Sequence, residues 1–407
     1  MSHRSGRLAI VFSCIGHAQM HVLAALYLTV VLALETDWQA SYDHLLRLWT
    51  LGALLIGLGA PLAGWLGDRW SESRMMVVFH TLTGLGAVAA GLAPDETGLV
   101  LGLALLGIGA SIYHPVGLAW IVKNAENRGS ALAWNGIFGG IGVAAAGFVA
   151  GGLSDVVSWR AAMIVPGLVC MATGLLLAIL IARGTVVDRT VDAKPVPRPS
   201  RGDTVRVFLL LSVTMLCAGL VYNSMATIMP KWFGDRMPGI VGGGTMGVGA
   251  LVSLVFLVGA LPQLLGGWLV DRLPPKRIYV AMLLLQVPVL ALAATAVGYP
   301  LFALAALTVA MLNIQVPAEN ELLARFTPAR HRGLAYGAKF VLAFGSGPAA
   351  VQFAAWTYDA TGRFDDLLFA LTALAALAVL AALMLPGRED RPGAVPPSSL
   401  PAPGTAD

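Results

Sequence analysis

The sequence predicts an all-α membrane protein with twelve transmembrane helices, arranged as two pseudo-symmetric six-helix bundles. Only 12% of its 407 residues are charged and 57% are hydrophobic, whereas a soluble domain carries about 25% charged residues. Apolar runs of the roughly 20 residues that a helix needs to cross a bilayer recur about twelve times. The pattern Gly-Trp-Leu-x-Asp-Arg occurs at 64–69 and again at 267–272, which indicates an internal duplication.

The duplication extends beyond this motif. Asp68 in the first copy lies 203 residues before Asp271 in the second. Arg128 and Arg332, each followed by Gly, are 204 residues apart. A repeat of about 200 residues, with a charged motif between apolar segments, is typical of a two-halved membrane transporter.

Each apolar run is predicted to be a helix, because lipid offers no partners for unpaired backbone groups and a helix satisfies them within one segment. The predicted spans are 8–34, 45–67, 74–93, 98–122, 129–153, 159–182, 206–230, 241–270, 277–297, 300–322, 333–357 and 365–386.

Two polar stretches divide and end the chain. Residues 183–205 contain three prolines and five basic residues, which indicates a flexible cytoplasmic linker. The residues after the last span are rich in Pro, Ser and Gly, which indicates a disordered tail. The predicted domains are an N-terminal bundle at 1–182, the linker at 183–205, a C-terminal bundle at 206–386 and the tail at 387–407.

The basic residues predict the orientation in the membrane. Twenty of the 26 Lys and Arg residues lie at the N-terminus, in the loops after helices 2, 4, 6, 8 and 10 and in the C-terminal tail. The opposite loops and helix ends hold five, and Lys339 lies inside a span. The positive-inside bias therefore predicts a multi-pass protein of the cell (inner) membrane with both termini in the cytoplasm.

Several classes of function are disfavoured. The formal charge of +4 is scattered between spans, so we expect no binding to nucleic acid. The chain has no Gly-rich phosphate loop with Lys, so ATP is not the expected energy source. No nucleophile motif or metal-ligand spacing stands out, so we expect neither an enzyme nor a bound cofactor or metal. A non-transporting membrane sensor is a remote alternative, because the linker and tail are too short for a signalling domain.

The layout resembles the major facilitator superfamily over nearly the whole chain. Residues 64–74 are similar to the superfamily's signature loop between helices 2 and 3, G-x-L-x-D-R-x-G-R-K, with Glu72 near the position where a basic residue is common. The second copy corresponds to the matching loop of the second half. The resemblance implies a monomer with one central site, transport by alternating access, and a cavity lined by helices 1, 4, 7 and 10.

A second stretch points to a type within that superfamily. Gly-Ala-Ser-Ile-Tyr-His-Pro at 109–115, followed by Arg128, is similar to efflux transporters of the fosmidomycin-resistance type. This resemblance implies proton-coupled export of a small amphipathic compound. The alternative is proton-coupled uptake of a small organic anion or nutrient. Export predicts neutral or cationic ligands in an aromatic cavity, whereas anion uptake predicts that Lys339 faces the cavity unpaired.

The resemblance also assigns roles to the signature loops. In the superfamily, such Asp residues help to hold the outward-open state by pairing with a basic residue, or by capping a helix N-terminus where the dipole favours an anion. Simple loop capping is the alternative role. The predicted gating residues are Asp68, Arg69, Arg128, Asp271, Arg272 and Arg332.

Three histidines are candidates for the central site. His17 and His21 lie four residues apart, and therefore on one face of helix 1. His114 in helix 4 lies at about the same depth as His17, counted from the cytoplasmic ends of the two helices. Histidine titrates near neutral pH, so these side chains could bind protons or a polar substrate. The alternative is a neutral, hydrogen-bonded histidine that fixes helix packing.

A basic side chain inside helix 11 should find an acidic partner. Lys339 lies at a depth comparable to Glu319 and Glu321 of helix 10, and an unpaired ammonium there would cost several kcal/mol. We therefore predict that Lys339 approaches one of these two carboxylates. Such a pair could be a proton-coupling switch or a structural ion pair. In a third alternative no pair forms, because Lys339 extends to the membrane surface.

Neutral polar side chains inside spans are the last group of candidates for the substrate or proton path. Polar groups in lipid are costly, so they indicate either function or helix packing. Gln263 is one such neutral candidate. The predicted substrate or proton path comprises His17, His21, His114, Asn135, Asn223, Asn313, Gln315, Glu319 and Lys339.

Overall fold

The computed structural model describes residues 2–126, 128–188, 201–242, 244–327, 339, 341–343 and 345–386. All regular secondary structure in this part of the chain is helical. The twelve long helices are α1 Ser2–Trp38, α2 Tyr42–Arg69, α3 Glu72–Gly91, α4 Glu96–Asn124, α5 Arg128–Val156, α6 Trp159–Ala182, α7 Arg201–Arg236, α8 Thr245–Val270, α9 Pro275–Thr295, α10 Gly298–Phe326, α11 Gly347–Thr361 and α12 Asp365–Leu383. One short helical turn, Pro238–Val241, lies between α7 and α8.

Eleven helices in the described part of the chain are long and apolar enough to cross a membrane. The described part of α11 is shorter, because most of the first half of its predicted span lies outside the described residues. The twelve-helix, all-α membrane fold predicted from the sequence is therefore confirmed. The tail at 387–407 lies outside the described residues.

Two helices are longer than their apolar runs. The predicted first span was 8–34, whereas α1 covers Ser2–Trp38. The predicted seventh span was 206–230, whereas α7 covers Arg201–Arg236 and includes residues that the sequence analysis placed in the linker. An apolar run marks the segment suited to lipid, while a helix can continue beyond it with polar residues.

Polar caps begin several helices. Ser71 accepts a hydrogen bond from the backbone N–H of Arg74 at the start of α3, at 3.1 Å. Asp95 and Ser158 cap α4 and α6 in the same way. Each cap satisfies one of the backbone donors that the first turn of a helix leaves open.

Helix α5 joins the two halves. It packs against α1 of its own half and against α8 of the other. At the contact with α8, a Cβ added to Gly249 would lie 2.1 Å from the carbonyl oxygen of Gly147, so only glycine allows this approach. The hydroxyl of Ser253 accepts a hydrogen bond from the backbone N–H of Phe148 across the same contact, at 2.8 Å.

The alternating connections give the fold two distinct ends. We call the end where α1 begins and α12 ends the terminal face, and the other end the opposite face. At the opposite face the halves are tied by charged contacts, including an ion pair of 2.8 Å between Lys231 of α7 and Glu35 of α1. Asp155, at the end of α5, accepts hydrogen bonds from the backbone N–H groups of Thr245 and Met246 at the start of α8. These contacts close the opposite face.

Candidate functional site

A central cavity of about 340 Å³ lies between the two halves, on the terminal side of the contacts that close the opposite face. Seven of the nine residues predicted for the substrate or proton path line this cavity, and Gln263 lines it as well. The seven are His17, His21, Asn223, Asn313, Gln315, Glu319 and Lys339.

The remaining two, His114 and Asn135, lie behind the wall of the N-terminal half. Their side chains are 7% and 1% exposed. Both contact the cavity-lining His17 from behind.

The three candidate histidines come together in one group, here called the histidine cluster. His17 and His114 have ring centroids 5.2 Å apart, and His21 and His114 are 5.6 Å apart. Nε2 of His21 lies 3.2 Å from Nε2 of His17. One ring nitrogen from each of the three histidines lies within 4.8 Å of the other two.

The orientation of His17 is fixed from behind. Its Nδ1 lies 2.7 Å from the backbone carbonyl oxygen of Asn135. A carbonyl oxygen can only accept, so Nδ1 carries the proton. In neutral His17, Nε2 is then an acceptor and receives the hydrogen bond from His21. The ring also stacks on Tyr113, with centroids 4.8 Å apart.

Buried hydrogen bonds hold this support in place. The side-chain amide of Asn135 donates to the hydroxyl of Tyr113 at 2.6 Å, and that hydroxyl donates to the backbone carbonyl of Ser13 at 2.8 Å. The network links α5, α4 and α1. Buried polar networks of this kind rigidify a site when their members are satisfied.

A wide turn in α4 places His114. Residues Tyr113–Gly117 form a π-helical turn inside the span. Pro115 lacks a backbone N–H, so the regular α-helical bonding cannot continue through it. The extra residue in the turn rotates the helix locally, and such turns are frequent at functional sites.

The facing wall of the cavity carries an ion pair. Nζ of Lys339 lies 2.7 Å from Oε1 of Glu319, and the two side chains are only 12% and 6% exposed. Lys339 also donates to the side-chain oxygen of Asn320 at 2.6 Å, and the hydroxyl of Tyr279 donates to Oε2 of Glu319 at 2.8 Å. The desolvation argument predicted such a partner, and the structure identifies it as Glu319. Glu321 instead binds Arg325, one turn along α10, at 2.7 Å.

Two cavity-lining asparagines also hold helices together. The amide nitrogen of Asn223 donates to the backbone carbonyl of Ala343 at 2.8 Å and to the hydroxyl of Ser346 at 3.0 Å, which links α7 to the α11 segment. The amide nitrogen of Asn313 donates to the carbonyl of Gly259 at 3.1 Å, which links α10 to α8. Both alternatives that the sequence left open, cavity lining and helix packing, therefore apply to these residues.

A smaller cavity of about 90 Å³ continues the central one toward the opposite face. The two share His21, Tyr222 and Asn223 in their walls. Beyond the smaller cavity, the halves are closed by what we call the opposite-face cluster. Its members are Glu35, Tyr42, Lys231, Asp235 and Tyr358.

The opposite-face cluster is centred on Lys231. Its ammonium lies over the rings of Tyr42 and Tyr358, at 5.3 and 5.5 Å from their centroids, in addition to its bond with Glu35. The hydroxyl of Tyr358 donates to Asp235 at 3.0 Å. The sequence did not predict this cluster, because charges near helix ends resemble ordinary interfacial residues. One signal was available. The first helix of one half carries an acidic residue near its end, Glu35, and the first helix of the other half carries a basic residue near its end, Lys231.

Four of the predicted gating residues lie at helix ends on the terminal face: Asp68 and Arg69 end α2, and Asp271 and Arg272 directly follow α8. Arg69 stacks over Trp65 at 4.3 Å, and Arg272 stacks over Trp268 at 4.1 Å, so the duplicated motif has the same local structure in both halves. Asp68 and Asp271, the acidic members of the set, are exposed.

Pairing of these aspartates with a basic residue, as the resemblance implies, stays a prediction. No ion pair joins Asp68 or Asp271 to a basic side chain that the structure describes. Arg332 and the side chain of Arg128 lie outside the described residues. Glu72, which departs from the signature, is buried and forms an ion pair with Lys123 at the end of α4.

Gly139→Ala should disturb the histidine cluster. A Cβ at position 139 would lie 2.4 Å from Cε1 of His17, so the ring must leave its place between Tyr113 and the carbonyl of Asn135. Such overpacking costs about 1–3 kcal/mol, and we expect a lower midpoint of thermal unfolding in detergent. Gly136→Ala is the matched control on the same helix, because a Cβ there meets no atom within 4 Å. Equal midpoints for the two variants would contradict the packing described here.

Comparisons with known proteins bear on the whole chain. The sequence model of the Major Facilitator Superfamily matches residues 11–261 and 241–405. The chain is similar to the MFS-type transporter EfpA of Mycobacterium tuberculosis, with 30% identity over 123 residues that cover 29% of this chain and 23% of that protein. It is also similar to the puromycin resistance protein pur8 of Streptomyces alboniger, with 33% identity over 122 residues that cover 28% of this chain and 24% of that protein. The chain thus matches about a quarter of the length of these curated relatives.

Two solved structures of a bacterial homolog of the human lysosomal transporter Spinster share the fold. The inward-facing, unoccupied form aligns over 94% of this chain and 95% of that chain, with a TM-score of 0.66. The inward-facing, occupied form aligns over 93% and 94%, with a TM-score of 0.69. Sequence identity is 14% in both cases, so this similarity concerns the fold alone.

Proposed function

The chain belongs to the Major Facilitator Superfamily, and on this premise we propose that it exports a small amphipathic compound in exchange for protons. Members of the superfamily are membrane transporters, so the chain is a multi-pass transporter of small molecules and not an enzyme. Proton coupling, the export direction and the amphipathic substrate are the proposed part.

The Glu319–Lys339 pair carries the proposal. Among the residues that the structure describes, this is the buried ion pair in the wall of the central cavity. A proton on Glu319 would remove the negative charge and leave Lys339 without its counter-ion. Because an unpaired buried ammonium is costly, the wall must rearrange when the proton binds. Protonation and the state of the cavity are therefore linked, as a proton-driven transporter requires.

Two observations favour export over anion uptake. The uptake hypothesis required Lys339 to face the cavity unpaired, whereas its ammonium is bound by Glu319 and Asn320. The rest of the cavity wall combines neutral amides with the rings of Tyr222 and Phe256, which suits an amphipathic ligand. Similarity to a puromycin resistance protein points the same way, as does the motif resemblance to the fosmidomycin-resistance type.

The positions of the cavity and the closed end indicate a state of the transport cycle. The halves are tied at the opposite face, and the cavity lies toward the terminal face. With the termini in the cytoplasm, as the positive-inside bias predicts, this arrangement is the inward-open state of an inner-membrane transporter. In the alternating-access cycle, the opposite-face cluster separates while the signature loops close the terminal face. We propose that one chain, with its single cavity, is the working unit.

Asp68→Asn tests the role of the signature loop. A carboxylate at a helix N-terminus or beside a basic residue contributes about 0.3–1 kcal/mol, so we expect transport to slow about two- to fivefold while expression and membrane insertion stay normal. Initial rates of transport in vesicles, divided by the amount of inserted protein, provide the measurement. Asp366→Asn, at an exposed position on the opposite face, is the control. Full activity of Asp68→Asn would contradict a gating role.

Export itself can be tested in cells. The chain should be expressed in a bacterium that lacks its main exporters, and the accumulation of puromycin, of lipophilic cations and of small organic anions measured. We expect lower accumulation of one or more amphipathic compounds than in cells with an empty vector, and a proton uncoupler should remove the difference. Raised accumulation of an anion, with no effect on amphipathic compounds, would favour the uptake alternative.

A further inference from the structure

We propose that His17, His21 and His114 form a binding site for one divalent transition-metal ion of the Zn²⁺ class. The sequence analysis expected no metal site, because two histidines at i and i+4 lack the remainder of a known motif. The structure adds a third imidazole from α4, and one ring nitrogen from each of the three histidines lies within 4.8 Å of the other two. Imidazole is a good ligand for Zn²⁺, Ni²⁺ and Cu²⁺, whereas Ca²⁺ and Mg²⁺ prefer oxygen.

The spacing of the two closest nitrogens suits such an ion. Zn–N bonds of about 2.0–2.1 Å in tetrahedral geometry place two ligand nitrogens about 3.3 Å apart. The Nε2 atoms of His17 and His21 are 3.2 Å apart. An ion would replace the hydrogen bond between these two nitrogens. His21 would then take the tautomer with its proton on Nδ1, which frees Nε2 as a ligand, and a rotation of His114 about its side-chain bonds would complete the set.

The surroundings of His17 match those of a metal ligand. Ligating histidines almost always donate their other ring N–H to a carbonyl, a carboxylate or water, which fixes the tautomer and aims the ligand nitrogen. His17 donates from Nδ1 to the carbonyl oxygen of Asn135 at 2.7 Å. Its Nε2 is thereby directed at His21. Stacking on Tyr113 holds the ring in this position. Gly139 has no side chain and so leaves room for the ring.

The cluster can exchange ions with the cavity. His17 and His21 line the cavity, while His114 lies behind them. An ion held by three imidazoles keeps one coordination position for water or another ligand, as in zinc sites of the His₃ type. That position would face the cavity, where a donor atom of the transported compound could occupy it. The structure thus assigns to the cluster a metal-dependent contact with substrate in addition to any role in hydrogen bonding.

Zinc binding to the full-length protein tests this proposal directly. The protein is purified in detergent, its affinity tag is removed, it is treated with EDTA, and ZnCl₂ is titrated in a calorimeter. We expect one equivalent to bind to the wild type. Co²⁺ used as a probe should give the strong visible absorption of a four-coordinate site. Wild-type protein that binds no Zn²⁺ overturns the proposal.

Variants locate the site. His21→Gln and His114→Gln should each weaken Zn²⁺ binding at least about 100-fold. This loss exceeds the 10–100-fold loss of affinity that follows when a residue hydrogen-bonded to a ligand, and not the ligand itself, is replaced. His44→Ala is the control, because His44 is exposed at the opposite face and contacts Glu96 instead. Elution as a single species in size-exclusion chromatography shows that each variant is folded. Unchanged Zn²⁺ affinity in either folded variant overturns the proposal. The titration measures Zn²⁺ binding and not transport, so its failure would leave the proposal of proton-coupled export untouched.

Discussion

Glu319→Gln should abolish proton-driven transport while leaving passive exchange of the substrate. With one proton exchanged per substrate molecule, each pH unit across the membrane supports a concentration ratio of at most about tenfold. In the variant this ratio should fall to about one, because an amide cannot take up the proton. Glutamine is uncharged like protonated Glu319, so we expect the wall to stay in the arrangement of the protonated state. Its side-chain oxygen can accept from Lys339 while its amide nitrogen donates to the hydroxyl of Tyr279. Accumulation ratios in proteoliposomes at several imposed pH gradients provide the measurement.

Glu321→Gln is the matched control. It lies two residues away on the same helix, and its carboxylate binds Arg325 with a side chain that is 41% exposed. Exposed pairs within one helix contribute little, so driven accumulation should be the same as in the wild type. Proton-driven accumulation by Glu319→Gln, or its loss in both variants, would contradict the assignment of Glu319.

Lys231→Ala should open the opposite face. The ammonium of Lys231 binds Glu35 and lies over two tyrosine rings, one from each half. Without it, Glu35 loses its counter-ion at a site where the two side chains are 24% and 17% exposed. A loss of about 1–2 kcal/mol would shift the population of the closed state about 5–30-fold.

Cysteine labelling measures that shift. Thr227 is 3% exposed and lies in the wall of the smaller cavity, just inside the cluster. In a Thr227→Cys background, a membrane-impermeant maleimide added from the opposite face should react faster when Lys231→Ala is present. The three native cysteines are buried, so their background should be low.

Two further variants control for non-specific effects. The ion pair between Arg47 and Asp359 also joins the two halves, but its N–O distance is longer, at 3.5 Å, and the Asp359 side chain is 61% exposed. Exposed ion pairs contribute little, so Arg47→Ala should change the labelling rate little. Exchange of the charges, with Glu35→Lys and Lys231→Glu together, should slow the labelling only in part, because the ion pair returns while the contacts of the Lys231 ammonium with the two tyrosine rings do not. Unchanged labelling in Lys231→Ala would show that this cluster does not hold the opposite face closed.

Sequence predicted the fold well, because the bilayer leaves few choices. A chain with long apolar runs must form helices in lipid, and the motif shared by 64–69 and 267–272 revealed the two halves. Depth along a helix could also be predicted, since each residue adds a fixed rise. That count correctly placed His17 level with His114, and Lys339 level with Glu319.

Rotation about the helix axes could not be predicted in the same way. Glu319 and Glu321 are two residues apart and so point to different sides of α10, but only packing determines which side faces Lys339. The meeting of His114 with His17 depends on the π-helical turn at Tyr113–Gly117, which has no reliable sequence signal. The opposite-face cluster depends on how the two halves dock, and that information is not local to any segment.

The central claim is that proton movement and substrate movement are coupled in this cavity through Glu319. The most direct test loads proteoliposomes with a pH-sensitive dye, imposes a pH gradient, and adds an amphipathic compound identified by the accumulation assay. We predict that the compound accelerates proton flow down the gradient with wild-type protein and with Glu321→Gln, and that it has no effect with Glu319→Gln. Substrate movement without any proton flow in wild-type vesicles, or compound-stimulated proton flow in Glu319→Gln, would contradict the account.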